Sequence, residues 1–322
     1  KRHAFSCTRY NSLPSFGKLG ALVELVEKEK NFSRYPERDL DGIMRFLQNH
    51  TGHNFEGRAT ESGIKSSFSE SEISATFSLP EVRQVEYLVY RFRFAAYAQR
   101  RIVGDFPIFV AVEPTSLCTL RGTTCVQADT KYFNPDNPLM GQMDIGFFRK
   151  IIDEMAENQP CGLVLASRGE PMLHRGLTEM VAYATGRGII DVKLNINATA
   201  LTEKKCRELL RAEPNVIVFS VDAGNKKEYE AIRVGANFEK VVANIKRFNE
   251  IRKKEFQNSR TRTRISMTVF RESQNSQEAE QLWKPMVDEF AVNPTDYRLD
   301  IYDHPSLPEE TKPCNLLWER VY

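Results

Sequence analysis

The sequence predicts an α/β fold: an open, partial (β/α)6 barrel with an N-terminal helical appendage. Three observations carry this expectation. From Phe106 onward, short β-branched runs alternate with amphipathic helical segments, the pattern of strands joined by helical crossovers. Right-handed crossovers then place the helices on one side of a parallel sheet. Six such units are too few for a closed eight-fold barrel, and the first hundred residues carry helical periodicity without strands.

The elements follow in order. Leu19 to Lys30 has apolar positions at Leu22, Val23, Leu25 and Val26, and Leu40 to Leu47 repeats the helical pattern. Thr51 to Phe77 is rich in Gly, Ser, Thr and Glu and reads as a mobile linker, in position to act as a lid over the barrel mouth. A helix from Glu81 to about Arg101 follows. Its mixture of basic and aromatic residues is explained better by packing on a larger domain than by RNA contact. The strands are then Pro107–Glu113, Gly162–Arg168, Ile190–Ile196, Val216–Val221, Arg262–Phe270 and Tyr297–Tyr302. Helices Ile145–Ala156, Leu177–Thr185, Glu203–Arg211, Phe238–Lys253 and Glu278–Phe290 separate them. The expected division is therefore a helical region over 1–105, with its flexible segment at about 51–77, and a barrel over 106–303. In such barrels the loops after the strand C-termini carry the chemistry.

Bulk properties narrow the function classes. The 322 residues carry a net charge of only +2, which gives no ground for a nucleic-acid or anionic-membrane partner. No apolar run approaches the ~18 residues of a membrane span. The first ten residues lack the apolar stretch of a secretory signal, and the chain, beginning at Lys1, reads as part of a longer one. Cys7, Cys118, Cys125, Cys161, Cys206 and Cys314 are scattered, which argues against a disulfide framework and for a reducing, cytoplasmic setting. There is no Cys-x-x-Cys pair, so a closed structural zinc site is not expected. Only Cys118 and Cys125 are close enough in sequence to share a site. Cys161 precedes the second strand, towards the opposite barrel face, and Cys206 lies on an outer helix; both read as small buried residues.

The loop after the first strand reads EPTSLCTLRGTTCVQ, Glu113 to Gln127. It resembles the cluster loop of the radical S-adenosylmethionine (radical SAM) superfamily, Cys-x-x-x-Cys-x-x-Cys after a Glu-Pro-Thr lead-in. The resemblance covers about Phe106 to Tyr322 and implies a TIM-like partial barrel. It also implies a 4Fe–4S cluster held by three thiolates, with S-adenosylmethionine on the fourth iron, and hydrogen-atom abstraction from substrate by a 5′-deoxyadenosyl radical. Here the first and third positions are Cys118 and Cys125, but the middle position is Gly122, which has no side-chain donor and is a natural place for a positive φ.

Further matches sit at later strand ends. SRGEP, Ser167 to Pro171, is similar to the family's Gly-Glu-Pro motif, implying that Gly169, Glu170 and Pro171 hold the methionine amino group; the plainer reading is a strand-to-helix turn. LNINATALTE, from Leu194, is similar to a Thr-Asn-Ala-Thr segment near the ribose. Ile196 replaces the threonine, leaving Asn195 and Asn197 as contacts. Phe219 to Phe248 resembles a Ser-x-Asp segment followed by a Tyr-x-x-x-Arg helix, implying cofactor contacts from Ser220, Asp222 and Arg233. Arg233 fits the methionine carboxylate as well as a surface ion pair with Glu230 or a neighbour. Met267 or Val269 could meet the adenine, although plain barrel core accounts for both. Lys312 to Tyr322 resembles the start of a SPASM extension. There Cys314 would be an early ligand of an auxiliary iron–sulfur cluster, and 304–322 would be a truncated extension. The resemblance implies an electron donor such as flavodoxin or ferredoxin and a small-molecule or peptide substrate, with sugars or aminocyclitols favoured. A peptide-modifying maturase and a cluster-free binding protein on the same barrel are the alternatives.

Overall fold

The computed structural model describes residues 16–32, 34–51, 67–129, 137 and 140–294. Four helices come first: α1 (Phe16–Lys30), α2 (Glu37–Thr51), α3 (Glu70–Ser78) and α4 (Glu81–Arg100). Leu22, Val26, Ile43, Ile73, Leu88 and Phe92 lie in the core they share. Helix α3 occupies part of the segment expected to be a loop. The Ser69 side chain accepts from the Glu72 backbone N–H while the Glu72 carboxylate accepts from the Ser69 N–H, a reciprocal cap that fixes the helix start. Glu72 is then locked to Arg91 of α4 at 2.7 Å. The rest of the segment from Thr51 to Phe77 read as a linker and lid, residues 52–66, lies outside the described residues.

The strands are β1 (Phe109–Val112), β2 (Arg121–Gly122), β3 (Gly162–Leu165), β4 (Asp191–Ile196), β5 (Val216–Ser220), β6 (Arg233–Val234), β7 (Arg262–Val269) and β8 (Glu289–Pro294). Six of them form one parallel sheet in the order β1-β3-β4-β5-β7-β8. The crossovers are α5 (Ile145–Glu157), α6 (Leu177–Gly186), α7 (Glu203–Ala212), α9 (Phe238–Glu255) and α10 (Ser276–Trp283), with α8 (Lys226–Ile232) leading into β6. Side-chain caps from Asp144, Thr202, Asn225, Asn237 and Asn275 start α5, α7, α8, α9 and α10. Leu163, Val192, Leu194, Ile217, Phe219 and Ile265 share one core with the helices. This is the open six-stranded α/β barrel expected from the sequence.

The last strand differs from expectation. Helix α10 stops at Trp283, Pro285 sits in a 3-10 turn, and the sheet is completed by Glu289–Pro294. Phe290, at the end of the expected helix Glu278–Phe290, is instead buried as a strand residue beside Ile265. Residues 297–302, expected to form that strand, lie outside the described residues, as does Cys314. No helix among the described residues is long and apolar enough to cross a membrane.

Candidate active site at the strand C-termini

Loops from four strand ends are stitched together above the sheet. The Glu113 carboxylate, just after β1, accepts from the backbone N–H groups of Arg168 (2.8 Å) and Gly169 (3.2 Å) after β3. The Glu170 N–H donates to Leu117 O, and the Gln127 amide donates to Ser116 O and Arg168 O. The loops are in such close contact that a Cβ on Gly169 would lie 1.8 Å from Thr115 O. The cysteine loop is pinned at its far side as well. Strands β2 and β6 pair antiparallel, with Gly122 opposite Arg233, and the Thr123 N–H donates to Ile232 O.

These contacts frame a cleft of about 250 Å³. Cys118, Gly122, Cys125, Gly169, Glu170, Asn195, Asn197, Ser220, Asp222 and Arg233 all line it, so the sequence-chosen positions of the barrel converge there. Pro171 stands back, buried in the 3-10 turn Pro171–Leu173. Met267 is fully buried on the helix side of the sheet and Val269 packs against the same core, so both follow the plainer core reading.

The lining residues divide into struts and free groups. Glu170 is a strut: its Oε2 accepts from the Asn197 N–H at 2.7 Å and its Oε1 from the Met172 N–H at 3.2 Å, tying the β3 end to the β4 end. Only 3% of it is exposed. This acidic residue at a strand end is therefore part of the core, and its removal would orphan buried N–H groups. Asp222 is a second strut, accepting from Arg233 Nε at 2.8 Å and from the Thr268 N–H at 3.1 Å. Arg233 is thus paired with Asp222 inside the site, not with Glu230 at the surface; Glu230 instead accepts from the Phe238 N–H. Asn197 uses its Oδ1 on Thr199. By contrast, Asn195 and Ser220 make no side-chain hydrogen bond among the described residues. Their side chains, like the Arg233 Nη atoms, are open to a ligand. Ser167 is also on the lining, where no sequence motif marks it; its φ of 146° is the visible sign of a constrained turn.

Electrostatics follow from burial. Burial pushes the Glu170 carboxyl up from 4.5 to about 7, against the backbone hydrogen bonds from Asn197 and Met172 that favour the charged form. Because the folded value lies above the unfolded one, this group's contribution to stability is present in full below about 4.5. It is lost as pH rises through about 7. The shift corresponds to at most about 3 kcal/mol. The stability difference between native protein and Glu170→Gln should therefore grow in favour of the native chain as pH falls from about 8 to about 5. Thermal melts across that range check this, and a pH-independent difference would contradict it. Burial also raises the Cys118 thiol, whose Sγ accepts from the Leu120 N–H at 3.4 Å. Cys161 and Cys206 are buried away from the cleft, with thiols pushed up by burial to about 12 and about 11; neither replaces a ligand.

The family model of the radical SAM superfamily matches residues 112–274, about half of the chain. The chain belongs to the radical SAM superfamily. Its members use a 4Fe–4S cluster and S-adenosylmethionine. The dTDP-4-amino-4,6-dideoxy-D-glucose ammonia-lyase of Streptomyces venezuelae is 29% identical over 166 residues, covering 49% of this chain and 32% of that enzyme. The crystal structure of SuiB from Streptococcus suis aligns over 81% of this chain and 56% of its own, with a TM-score of 0.50 and 16% identity. That likeness speaks to the fold alone. The chain thus spans about a third and about half of these two proteins.

The described residues do not supply the three protein thiolates of such a cluster. Cys118 and Cys125 supply two, Gly122 supplies none, and no group of three or more His, Cys, Asp or Glu side chains with metal-binding geometry occurs among the described residues. Thiolate is the donor such clusters prefer. The place for the third ligand is nevertheless intact. Gly122 does not adopt a positive φ, and a Cβ there would meet Cys125 Cβ at 3.7 Å and Ile232 O at 3.8 Å, ordinary contacts. The expected backbone obstacle at this glycine is absent.

Proposed function

We propose that the cleft binds S-adenosylmethionine and that the chain is the barrel of a radical SAM enzyme acting on a sugar-like small molecule. The observation that carries the binding half is the pair of free polar groups, Asn195 and Ser220, in the same cleft as Cys118 and Cys125. The Arg233 Nη atoms, which make no hydrogen bond among the described residues, suit the methionine carboxylate. Glu170, ionised above about pH 7, suits the ammonium. The sugar-like substrate is supported by the activity named for the Streptomyces venezuelae relative. A cytoplasmic setting, a flavodoxin or ferredoxin donor, and auxiliary clusters beginning at Cys314 belong to the same proposal. So does the division at 105 and 303.

One observation favours a second reading. With two thiolates in the loop, the chain as written is also consistent with a protein that holds S-adenosylmethionine without a cluster. Calorimetric titration with S-adenosylmethionine tests the part common to both. Removing both free groups, Asn195→Ala with Ser220→Ala, should weaken binding about thirtyfold, from two hydrogen bonds of about 1 kcal/mol each. Because neither side chain holds another element, the melting temperature should stay within a degree or two. An unchanged affinity would refute this use of the cleft.

A further inference from the structure

Side chains alternate along the strands, so the sheet has a second face, turned away from the crossover helices and into the open barrel. On β7 the helix side is taken by Ile265 and Met267, both buried in the main core. Ser266 and Thr268 lie on the other face, and both are partly exposed. On β8, Phe290 and Val292 pack on the core, while Ala291 and Asn293 take the inner face and are partly exposed. These residues continue the cleft sideways. Ser266 is the register partner of Ser220, which lines the cleft, so the two strands place them about 5 Å apart. The Thr268 N–H donates to Asp222, another lining residue, at 3.1 Å. Ala166 of the cleft lining, Val218 of β5 and Ala291 add small apolar side chains to the same face.

The direction of one hydrogen bond says what this face can recognise. Asn293 Nδ2 donates to Ser266 Oγ at 2.8 Å and approaches Met267 O at 3.5 Å. The amide nitrogen is thereby used, and the Asn293 Oδ1 accepts nothing among the described residues. The Ser266 hydroxyl, having accepted, keeps its own proton to donate and finds no acceptor among the described residues. The Thr268 hydroxyl makes no hydrogen bond among them either. A donor on Ser266 and an acceptor on Asn293 therefore stand side by side. A ligand hydroxyl both accepts and donates, so it satisfies the pair. A carboxylate or phosphate only accepts and would leave the amide oxygen unpaired, and an ammonium only donates and would leave the Ser266 proton unused. The cations next along this face, Lys193 and Arg264, have carboxylates of their own in Asp191, at 3.1 Å, and Glu289, at 3.6 Å.

We propose that Ser266, Thr268 and Asn293 form a subsite for a neutral, polyhydroxylated substrate ring, seated on the inner face of β7 and β8 beside the cofactor contact at Ser220. The proposal rests on the reading above for the place of S-adenosylmethionine, but the subsite's own polyol binding is measured without it. The test uses the full chain and two neutral cyclohexane rings, myo-inositol and cyclohexanol, followed by calorimetry or ligand-observed NMR. myo-Inositol should bind, and cyclohexanol about tenfold more weakly or worse, because one hydroxyl cannot serve the donor, the acceptor and Thr268 together. Ser266→Ala should weaken myo-inositol binding about fivefold, the loss of one hydrogen bond. Ser266→Thr should restore most of it, and the affinity for S-adenosylmethionine should be unchanged in both variants. Four results would overturn the proposal: no myo-inositol binding, cyclohexanol binding equally well, undiminished polyol binding in Ser266→Ala, or a loss of S-adenosylmethionine affinity in that variant. If Ser266→Ala does not fold, the comparison of the two rings on the native chain decides. Polyol binding that depends on Ser266 in a chain that retains no S-adenosylmethionine would uphold the subsite and count against the cleft assignment.

Discussion

Gly122→Cys should convert a chain that retains little iron into one that carries close to four irons and four sulfides after anaerobic reconstitution. The expectation rests on the cysteine loop as it is built. Its two cysteine side chains line the cleft, the backbone at 122 is pinned between Arg233 and Cys125, and the added Cβ meets only ordinary contacts. Cys125 Cβ, at 3.7 Å from the new Cβ, is within disulfide reach. Reconstitution must therefore be done under reductant, and an oxidised sample of the variant should lose two free thiols. Iron and sulfide analysis with the absorption spectrum reads the result. A native chain that already holds four of each, stable in air, would show that a ligand from elsewhere completes the site.

Gly169→Ala should be the most damaging single methyl group in the cleft. Its Cβ would lie 1.8 Å from the Thr115 carbonyl oxygen and 2.7 Å from that carbonyl carbon. These are backbone atoms that cannot rotate away, so the β1 and β3 loops must part. Glu113 would then lose its hold on the Arg168 and Gly169 N–H groups, and the Glu170–Asn197 strut next to it would shift. Overpacking of this kind costs about 3 kcal/mol or more, which lowers the melting temperature by roughly 6–12 °C for a domain of this size. S-adenosylmethionine binding should fall with it. Gly186→Ala at the end of α6 is the control, because a Cβ there meets nothing within 4 Å. Equal melting temperatures for the two variants would contradict the account of the loops.

Much of this architecture was legible in the sequence, for physical reasons. Strands such as GLVL at 162–165 are buried on both faces and read as continuous apolar runs, so their alternation with amphipathic helices stands out. The place of the cleft was legible because Cys118, Glu170, Asn195 and Ser220 each follow or end a strand, where a parallel barrel gathers its loops. Three features escaped. Helix α3 is polar and short, and its Ser/Thr-rich composition outweighed the capping signal of Ser69 and Glu72, although that signal was present. Strand β8 follows a proline-containing turn and carries Glu289 and Asn293 inward to pair with Arg264 and Ser266, so it lacks the apolar run of a central strand. The division of the cleft into struts and free groups depends on which backbone N–H each side chain meets across strands, and no sequence spacing encodes that. Glu170 illustrates it, being a ligand candidate by motif and a buried brace by geometry.

The proposed S-adenosylmethionine site between Cys118, Asn195 and Ser220 does not depend on the presence of a cluster. Equilibrium dialysis of labelled S-adenosylmethionine against the native, iron-free chain tests it most directly. The expected result is one molecule retained per chain above pH 7, with retention weakening as the solution is taken below the Glu170 value of about 7. A folded native chain that retains none at any pH in that range would contradict the claim.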